Sequence, residues 1–589
     1  MARGARAMMR SHACGDLRAT DAGSDVTLAG WVHHRRDHGK IVFLDLRDAA
    51  GTVQVVIHPD AGIDAEAIQR EFCVLIRGTV NARKPGTENP NLPTGEIEVV
   101  AAGLEVLSPS ETPPFVVEDG IEVDDVTRLK YRYIDLRRPS MQHALRLRAK
   151  VVAEIRAYLD ARGFVEVETP ILFKSTPEGA RDFLVPSRLQ RGTFYALPQS
   201  PQMLKQILMV GGMERYYQIA RCFRDEDLRA DRQLEHTQLD LEMSFVEQED
   251  VLRTLEGLFV HLWRECVGVD VEQPFPRISY AEAIRRFGTD HVDMRYGMEL
   301  ADLNDVFAET TLGIFKSVLA SGGAIRGFAV PGAGELNHAQ LKKLEHSAMD
   351  RGAKGLAWVV FRDGGEIESP LAKHLSATET DGLAKATGAA PGDLVLMMAD
   401  TPDVVNPILG ALRMELAKER GLIPDNAWKF CWIVDYPFFV WNAEENKWEP
   451  IHHPFTMPVG GGDALEGDPA NVRAAAYDLV LNGLELLSGS IRIHRPDIQR
   501  KVFDALGISP QEAEERFGFF LEAFRYGPPP HGGIGCGIDR VMMQMLGTDN
   551  IRDVVAFPKT QSGVDPLSGA PTAVDDQQLK VLGIRLLPS

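Results

Sequence analysis

The segment Gly532-Gly-Ile-Gly-Cys-Gly-Ile-Asp-Arg540 decides the reading of this 589-residue chain. Its glycines let a backbone come close to a ligand, and a single arginine follows where a helical pattern begins. A second charged stretch stands far upstream. Arg221-Cys-Phe-Arg-Asp-Glu226 leads to Arg229, Arg232 and Gln233, then to Asp240 and Glu242. Clustered arginines clamp phosphates bidentately, and nearby acids organise magnesium or an ammonium group. Taken alone, such a loop is more often simply solvated. No Gly-rich loop ending in Lys-Ser or Lys-Thr is present, so any nucleotide has to be held by this other device.

Around these segments the chain is too long for one hydrophobic core, and roughly two to four domains are expected. With 44% hydrophobic and 25% charged residues it has the composition of an ordinary soluble protein. No apolar run is long enough to cross a bilayer, so no membrane role is expected. Cys14, Cys73, Cys222, Cys266, Cys431 and Cys536 stand singly. That spacing argues against a zinc site or a disulfide framework and for a reducing cytoplasm. The formal charge of −20 counts against a nucleic-acid partner without excluding one, because binding depends on local patches. His33-His-Arg-Arg36 is one basic patch; Lys130-Tyr-Arg132 with Arg137, Arg138, Arg146 and Arg148 is another. Solvated charged faces are the plain alternative. The short basic opening Met1 to Ala7 reads as sequence ahead of a true start at Met8 or Met9, or else as a targeting remnant.

Between Asp25 and Val106, the runs Val26–Val32, Ile41–Leu46, Val53–Ile57, Val74–Gly78 and Ile97–Val100 are rich in β-branched residues. Short strands at this spacing predict a small barrel of the OB type. Pro109 to Val126 reads as a linker. Leu145 to Leu159 has helical periodicity, and Gly163 to Pro170 reads as a strand stopped by proline. Strands and helices alternate to about Asp290. A Gly- and Ala-rich stretch of mixed helices and strands then precedes renewed strand character at Phe430 to Val434. The tail after Phe557 reads as loop.

Pro170, Arg224 with Glu226, and Arg540 in its glycine setting resemble, in order, the three signature motifs of the class II aminoacyl-tRNA synthetases. Within that class, Ser175–Asp182, Gln199–Gln202, His452–Thr456 and Ser490–His494 resemble the bacterial aspartate branch, over nearly the whole chain. The resemblance implies an α+β multidomain protein with an N-terminal OB-fold barrel, an antiparallel-sheet catalytic core and an inserted α/β domain. Its expected divisions are an anticodon-binding domain at 1–112, a hinge at 113–141, catalytic parts at 142–290 and 423–557, the insertion at 291–422 and an extension at 558–589. It implies ATP and Mg2+, aspartate and tRNA-Asp as substrates, and a homodimer.

By the same resemblance, Glu178 on a closing loop, Gln202 and Asp240 hold the substrate ammonium, which requires acceptors. Lys205 and Arg492 hold the side-chain carboxylate, with His452 and His453 as further donors. Arg224 bridges the α-phosphate and the attacking carboxylate. Arg540 binds the γ-phosphate and covers adenine. Asp225, Glu226, Gln233, His236, Glu485, Gly537, Ile538 and Asp539 complete the nucleotide site. Asp478 and Glu485 coordinate magnesium, with ordinary helix-surface acids as the alternative. Phe43 stacks on an anticodon base, with Arg36 and Gln54 as polar readers, as single-strand recognition on OB-folds requires. A core role is the alternative for Phe43.

Three departures stand out. His236 occupies a position where the family has phenylalanine, which puts nucleotide affinity in doubt. Leu487 and Ser488 replace glycines beside Glu485, and His291-Val292 replaces a Lys-Pro pair. His38, after Arg35-Arg-Asp37, and Gly86 resemble the members that also aspartylate tRNA-Asn. The competing expectations are an enzyme restricted to tRNA-Asp, a non-catalytic RNA-binding paralogue, and a small-molecule ligase on the same core.

Overall fold

The computed structural model describes residues 9–176 and 180–587. Met8 and Glu178, both singled out above, lie outside the described residues. The chain forms two compact units, Met1–Arg146 with Val555–Thr572 and Leu147–Val554 with Ala573–Ser589.

In the first unit a closed barrel runs in the order Asp25–His38, Ile41–Arg47, Thr52–Ile57, Ile97–Ser108 and Cys73–Ala82. Every pairing is antiparallel except that of Thr52–Ile57 with Ile97–Ser108. Leu28, Leu44, Leu46, Val53, Val55, Ile76 and Val99 fill the interior. Side chains alternate along a strand, so Phe43 faces outward, on the side of Asp45. The alternative of a core Phe43 is thereby removed. The expected linker is largely irregular up to a short helix at Asp125–Lys130, capped by Asp124. Buried Arg132 donates to the carbonyls of Val555 and Ala556 at 2.8 and 2.9 Å, which ties the returning segment to this unit.

The second unit is built on a sheet of eight strands. Their order is Arg277–Ser279, Phe430–Pro437, Arg473–Leu481, Leu484–Ile491, His531–Gly537, Glu235–Ser244, Arg215–Phe223 and Val165–Glu166. Only the two outermost pairings are parallel. The strand expected over Gly163 to Pro170 is reduced to Val165–Glu166. It pairs along one side only, and Pro170 has no N–H to extend the ladder. Residues 301–400 form a separate five-stranded sheet, antiparallel throughout. Helices Gly313–Ala320, His338–Asp350, Ala377–Thr387 and Pro402–Glu419 accompany it.

Val292, one of the departures, is fully buried against Ile278, Cys431 and Ile433, so an apolar residue suits that position. The tail is not all loop. Asp576–Leu582 is a helix, capped by the Asp575 carboxylate on the Gln578 N–H and ended at Gly583. Among the described residues no helix is long and apolar enough to cross a membrane.

Candidate active site

Five neighbouring strands of the large sheet, together with the helix Gln202–Val210, converge on one cavity of about 490 Å³. It is lined by Gln202, Lys205, Arg224, Glu226, Gln233, His236, Asp240, His452, His453, Asp478, Glu485, Arg492, Gly537, Asp539 and Arg540. Segments hundreds of residues apart thus supply the predicted side chains.

The floor is a buried ionic lattice. Lys205 Nζ donates to Asp240 Oδ1 and to the Ile534 carbonyl, both at 2.8 Å. Arg492 donates from Nε and Nη2 to the two oxygens of Glu242, at 2.9 and 3.2 Å. Arg492 Nη1 donates to Ser490 Oγ at 2.8 Å and to His453 Nε2 at 2.6 Å. A guanidinium has five N–H groups and an ammonium three. Arg492 therefore keeps one Nη2 hydrogen unbonded, and Lys205 one hydrogen, with Glu242 Oε2 lying 3.8 Å from its Nζ. Among the described residues Asp240 Oδ2 is buried without a partner, as is Gln202 Nε2. The floor thus offers two cationic donors beside one anionic acceptor.

Burial pushes Asp240 above the usual carboxylate range despite Lys205. Burial acts on Glu242 too, but Arg492 and Lys205 outweigh it and hold that carboxyl below its usual value. Because guanidinium only donates, His453 Nε2 accepts from Arg492 and the ring is neutral; its Nδ1 faces the Phe455 N–H at 3.2 Å. Burial, then Arg492, pushes its basicity well below the ordinary imidazole value. His453 is therefore a support for Arg492 rather than a free donor. His452 keeps a buried Nε2 without a partner, and burial lowers its pKa to about 4.

The other half of the cavity carries the arginines. No partner for the Arg224 guanidinium is found among the described residues. Arg540, in the first turn of the helix Ile538–Leu546, donates to Asp231 Oδ2 at 3.1 Å and to the Glu485 carbonyl at 3.2 Å. Arg232 pairs with Glu226 at 3.1 Å. His236 is lowered to about 3 by burial first, then by Arg224, Arg221 and Arg540, so its ring is neutral. Its Nε2 lies 3.1 Å from the Gln238 side-chain nitrogen, and the amide donates.

Several expected roles change. Asp539 reaches the cavity, but its carboxylate is committed to Arg148 and, at 3.1 Å, to the Thr237 N–H. It thereby positions a strand. Ile538 is buried and Asp225 sits beside Arg181 at 3.6 Å; neither is among the lining residues. Gly533 makes room for protein, not ligand, since a Cβ there would meet Glu242 Oε2 at 2.2 Å. Gly535 and Gly537 do line the cavity.

Asp478 and Glu485 are not helix-surface acids. They lie on adjacent strands, with a bulge that turns Glu485 and Leu486 toward the cavity. Asp478 Oδ2 accepts from the Tyr436 hydroxyl at 2.7 Å and Ser488 lies beside the carboxyl, while Oδ1 is buried without a hydrogen-bond partner among the described residues. Burial, with Glu485 next, raises the Asp478 carboxyl well above its usual value. An orphaned oxygen in a like-charge pair is what a hard divalent cation satisfies, so these residues fit magnesium. Leu487 points into the core, and Ser488 Oγ lies 3.4 Å from His452 Nδ1. Glu242 was noticed in the sequence without a role. Asp231, Asp290, Tyr436 and Ser490 were missed, having no signal beyond their neighbours.

On the barrel, Arg36 donates to Asp45 at 2.8 Å and Gln54 to Glu98 at 3.0 Å. The His38 ring meets Phe43 edge-on at 5.7 Å. The predicted readers therefore share one outward face. Gly86 has φ +85°, and a Cβ there would meet nothing within 4 Å.

Residues 124–561 match the family described as tRNA synthetases class II (D, K and N), and residues 26–107 the OB-fold nucleic acid binding domain. An aspartate–tRNA(Asp/Asn) ligase of Moorella thermoacetica is 52% identical over 99% of this chain and 98% of its own. One of Salinispora arenicola is 51% identical over 99% and 96%. The asparaginyl-tRNA synthetase of Pyrococcus horikoshii, solved with asparaginyl-adenylate, shares the fold at TM-score 0.59 and 21% identity, covering 94% of this chain and 99% of its own.

Proposed function

We propose, from the premise that this chain belongs to the class II tRNA synthetases of the D, K and N group, the following course for its reaction. The enzyme ligates aspartate to tRNA at the expense of ATP. Aspartate enters with its ammonium donating to Asp240 Oδ2 and to the Gln202 side-chain oxygen, joined by Glu178. Its side-chain carboxylate takes the spare hydrogens of Lys205 and Arg492. Asparagine brings an amide that donates where acceptors are needed, leaving buried groups unpaired.

The α-carboxylate is already a nucleophile, so no general base is required. Arg224 holds it against the α-phosphate, Arg540 holds the γ-phosphate, and His236 lies against the adenine. Catalysis is positioning plus charge stabilisation. Asp478 and Glu485 would hold magnesium, which offsets triphosphate charge. Aspartyl-adenylate then passes its acyl group to the 3′ end of tRNA, selected at Phe43, Arg36 and Gln54.

His38 and Gly86 favour service to both tRNA-Asp and tRNA-Asn, the product on the latter being amidated by a separate amidotransferase. The names of the similar ligases support that reading. We place the enzyme in the cytoplasm as a homodimer joined through the edge strand Val165–Glu166.

The observation that carries the proposal is the pair of unbonded cationic hydrogens beside an orphaned carboxylate oxygen. ATP–pyrophosphate exchange with aspartate, asparagine and lysine tests it. Exchange with aspartate alone is expected; exchange with asparagine at a similar rate rejects the assignment of the floor.

A further inference from the structure

The two arginines proposed to hold the triphosphate differ in one respect. Arg224 has no partner among the described residues, whereas Arg540 makes two hydrogen bonds and also has the Glu485 carboxylate 3.9 Å from Nη1. Its Nη1 donates to the Glu485 carbonyl at 3.2 Å and its Nη2 to Asp231 Oδ2 at 3.1 Å. Asp231 lies on the loop between the strands Arg215–Phe223 and Glu235–Ser244. That loop is pinned next to Asp231, where the Ile551 N–H donates to the Ala230 carbonyl at 2.9 Å. The Asp231 and Arg540 side chains are 30% and 22% exposed, and both line the cavity.

We infer that Asp231 is a carboxylate stand-in for the terminal phosphate: it parks Arg540 while the triphosphate site is empty and thereby sets the affinity for ATP and for pyrophosphate. The inference rests on the assignment of Arg540 to the γ-phosphate. A carboxylate oxygen and a phosphate oxygen are the same kind of acceptor for a guanidinium N–H. Asp231 already lays one negative charge on Arg540, so an arriving triphosphate binds against that charge, by taking Nη2 from Asp231 or by using the N–H groups that remain beside it. When pyrophosphate is released, Asp231 takes Arg540 back, so the ligand competes with an internal anion at each departure. A free arginine at the α-phosphate and a parked one at the γ-phosphate divide the work. The first is ready for the reacting centre, and the second keeps pyrophosphate from lingering.

Asp231→Asn keeps the volume and removes the charge. Equilibrium binding of a non-hydrolysable ATP analogue and the KM for pyrophosphate in the exchange assay are measured on the full-length protein. Both constants are expected to fall by roughly two- to fivefold, the range for a partly exposed ion pair in competition. The KM for aspartate should not move. Unchanged or weaker binding of both ligands overturns the inference, because Asp231 would then be orienting Arg540 for the phosphate. The same substitution in an Arg540→Ala background should give no gain; a gain there also overturns the inference, since the charge of Asp231 would be acting without Arg540. If Arg540→Ala alone leaves ATP affinity intact, it is the assignment of Arg540 that fails.

Discussion

Glu242 and Arg492 stand 250 residues apart in the chain, yet Arg492 Nε donates to Glu242 Oε1 at 2.9 Å in the buried floor of the cavity. The pair fixes the plane of the guanidinium, and the neutral His453 ring holds its other edge. Removing one partner leaves a buried charge uncompensated, which costs about 3–5 kcal/mol. Glu242→Gln should therefore lower stability and raise the KM for aspartate by about a hundredfold, with little change in the KM for ATP. Denaturant titration and exchange kinetics check this; an unchanged aspartate KM would show that Glu242 serves only the fold.

Activation should depend on Arg224 far more than on His236. A charge-assisted contact to the reacting phosphate is worth more than the difference between two stacking rings. Arg224→Ala is expected to abolish pyrophosphate exchange, while His236→Phe keeps it or improves ATP binding. An active Arg224→Ala enzyme would remove Arg224 from the reacting centre.

The barrel was legible because β-branched runs bounded by turn residues leave few other readings. The face of Phe43 was not legible until the neighbours Leu44 and Leu46 were seen to point inward. Asp478 and Glu485 are spaced as two turns of helix, which hid a hairpin. The signal was present: Asn482-Gly483 lies between them with φ of +53° and +84°, the dipeptide favoured by a tight two-residue turn. No local signal could have paired Glu242 with Arg492 or Asp231 with Arg540. Those contacts exist only because the sheet order brings Glu235–Ser244 beside His531–Gly537 and so near Leu484–Ile491. Asp539 misled for the opposite reason: it sits in the right motif, but its carboxylate is used to hold a strand.

The edge of the large sheet bears on assembly. Val165, Ile171 and Leu172 are 47%, 48% and 51% exposed around a strand paired on one side only. Apolar edges of this kind are normally covered. Sedimentation at micromolar concentration should give a dimer, and Leu172→Asp with Val165→Asp should shift it toward monomer. A clean monomer for the unaltered protein would refute the proposed interface.

Acid should destabilise the protein through its half-buried imidazoles. Burial lowers His236 to about 3 and His33 and His452 to about 4, from an ordinary value of 6.5. A base with a lowered folded pKa contributes stability that is present above the unfolded value and lost as pH falls toward the folded one. The loss should begin near pH 6.5 and deepen to about pH 4. At pH 5 a single such group accounts for about 2 kcal/mol. Denaturant midpoints at pH 7.5 and 5 should therefore converge in His236→Phe relative to the unaltered protein. Equal acid losses in both would mean that His236 is not held neutral.

Choice of tRNA is expected to turn on the outward face of the barrel. The two tRNAs differ at the third anticodon base, C against U, so relaxed choice must come from the surface that meets it. His38 packs edge-on against Phe43, the proposed stacking ring, and so can set where a neighbouring base lies. Gly86 faces open space, with nothing within 4 Å of the position a side chain would take. An absent side chain neither obstructs nor selects, and discrimination against a wrong partner often depends on such obstruction. The competing account is that Gly86 is there only for its φ of +85°, a conformation other residues rarely adopt. Charging purified tRNA-Asn with labelled aspartate separates the two. Product is expected at enzyme levels that fully charge tRNA-Asp; none would refute dual specificity. Where product forms, His38→Leu should restore preference for tRNA-Asp and leave pyrophosphate exchange unaltered, because the groups proposed to hold ATP all belong to the other unit.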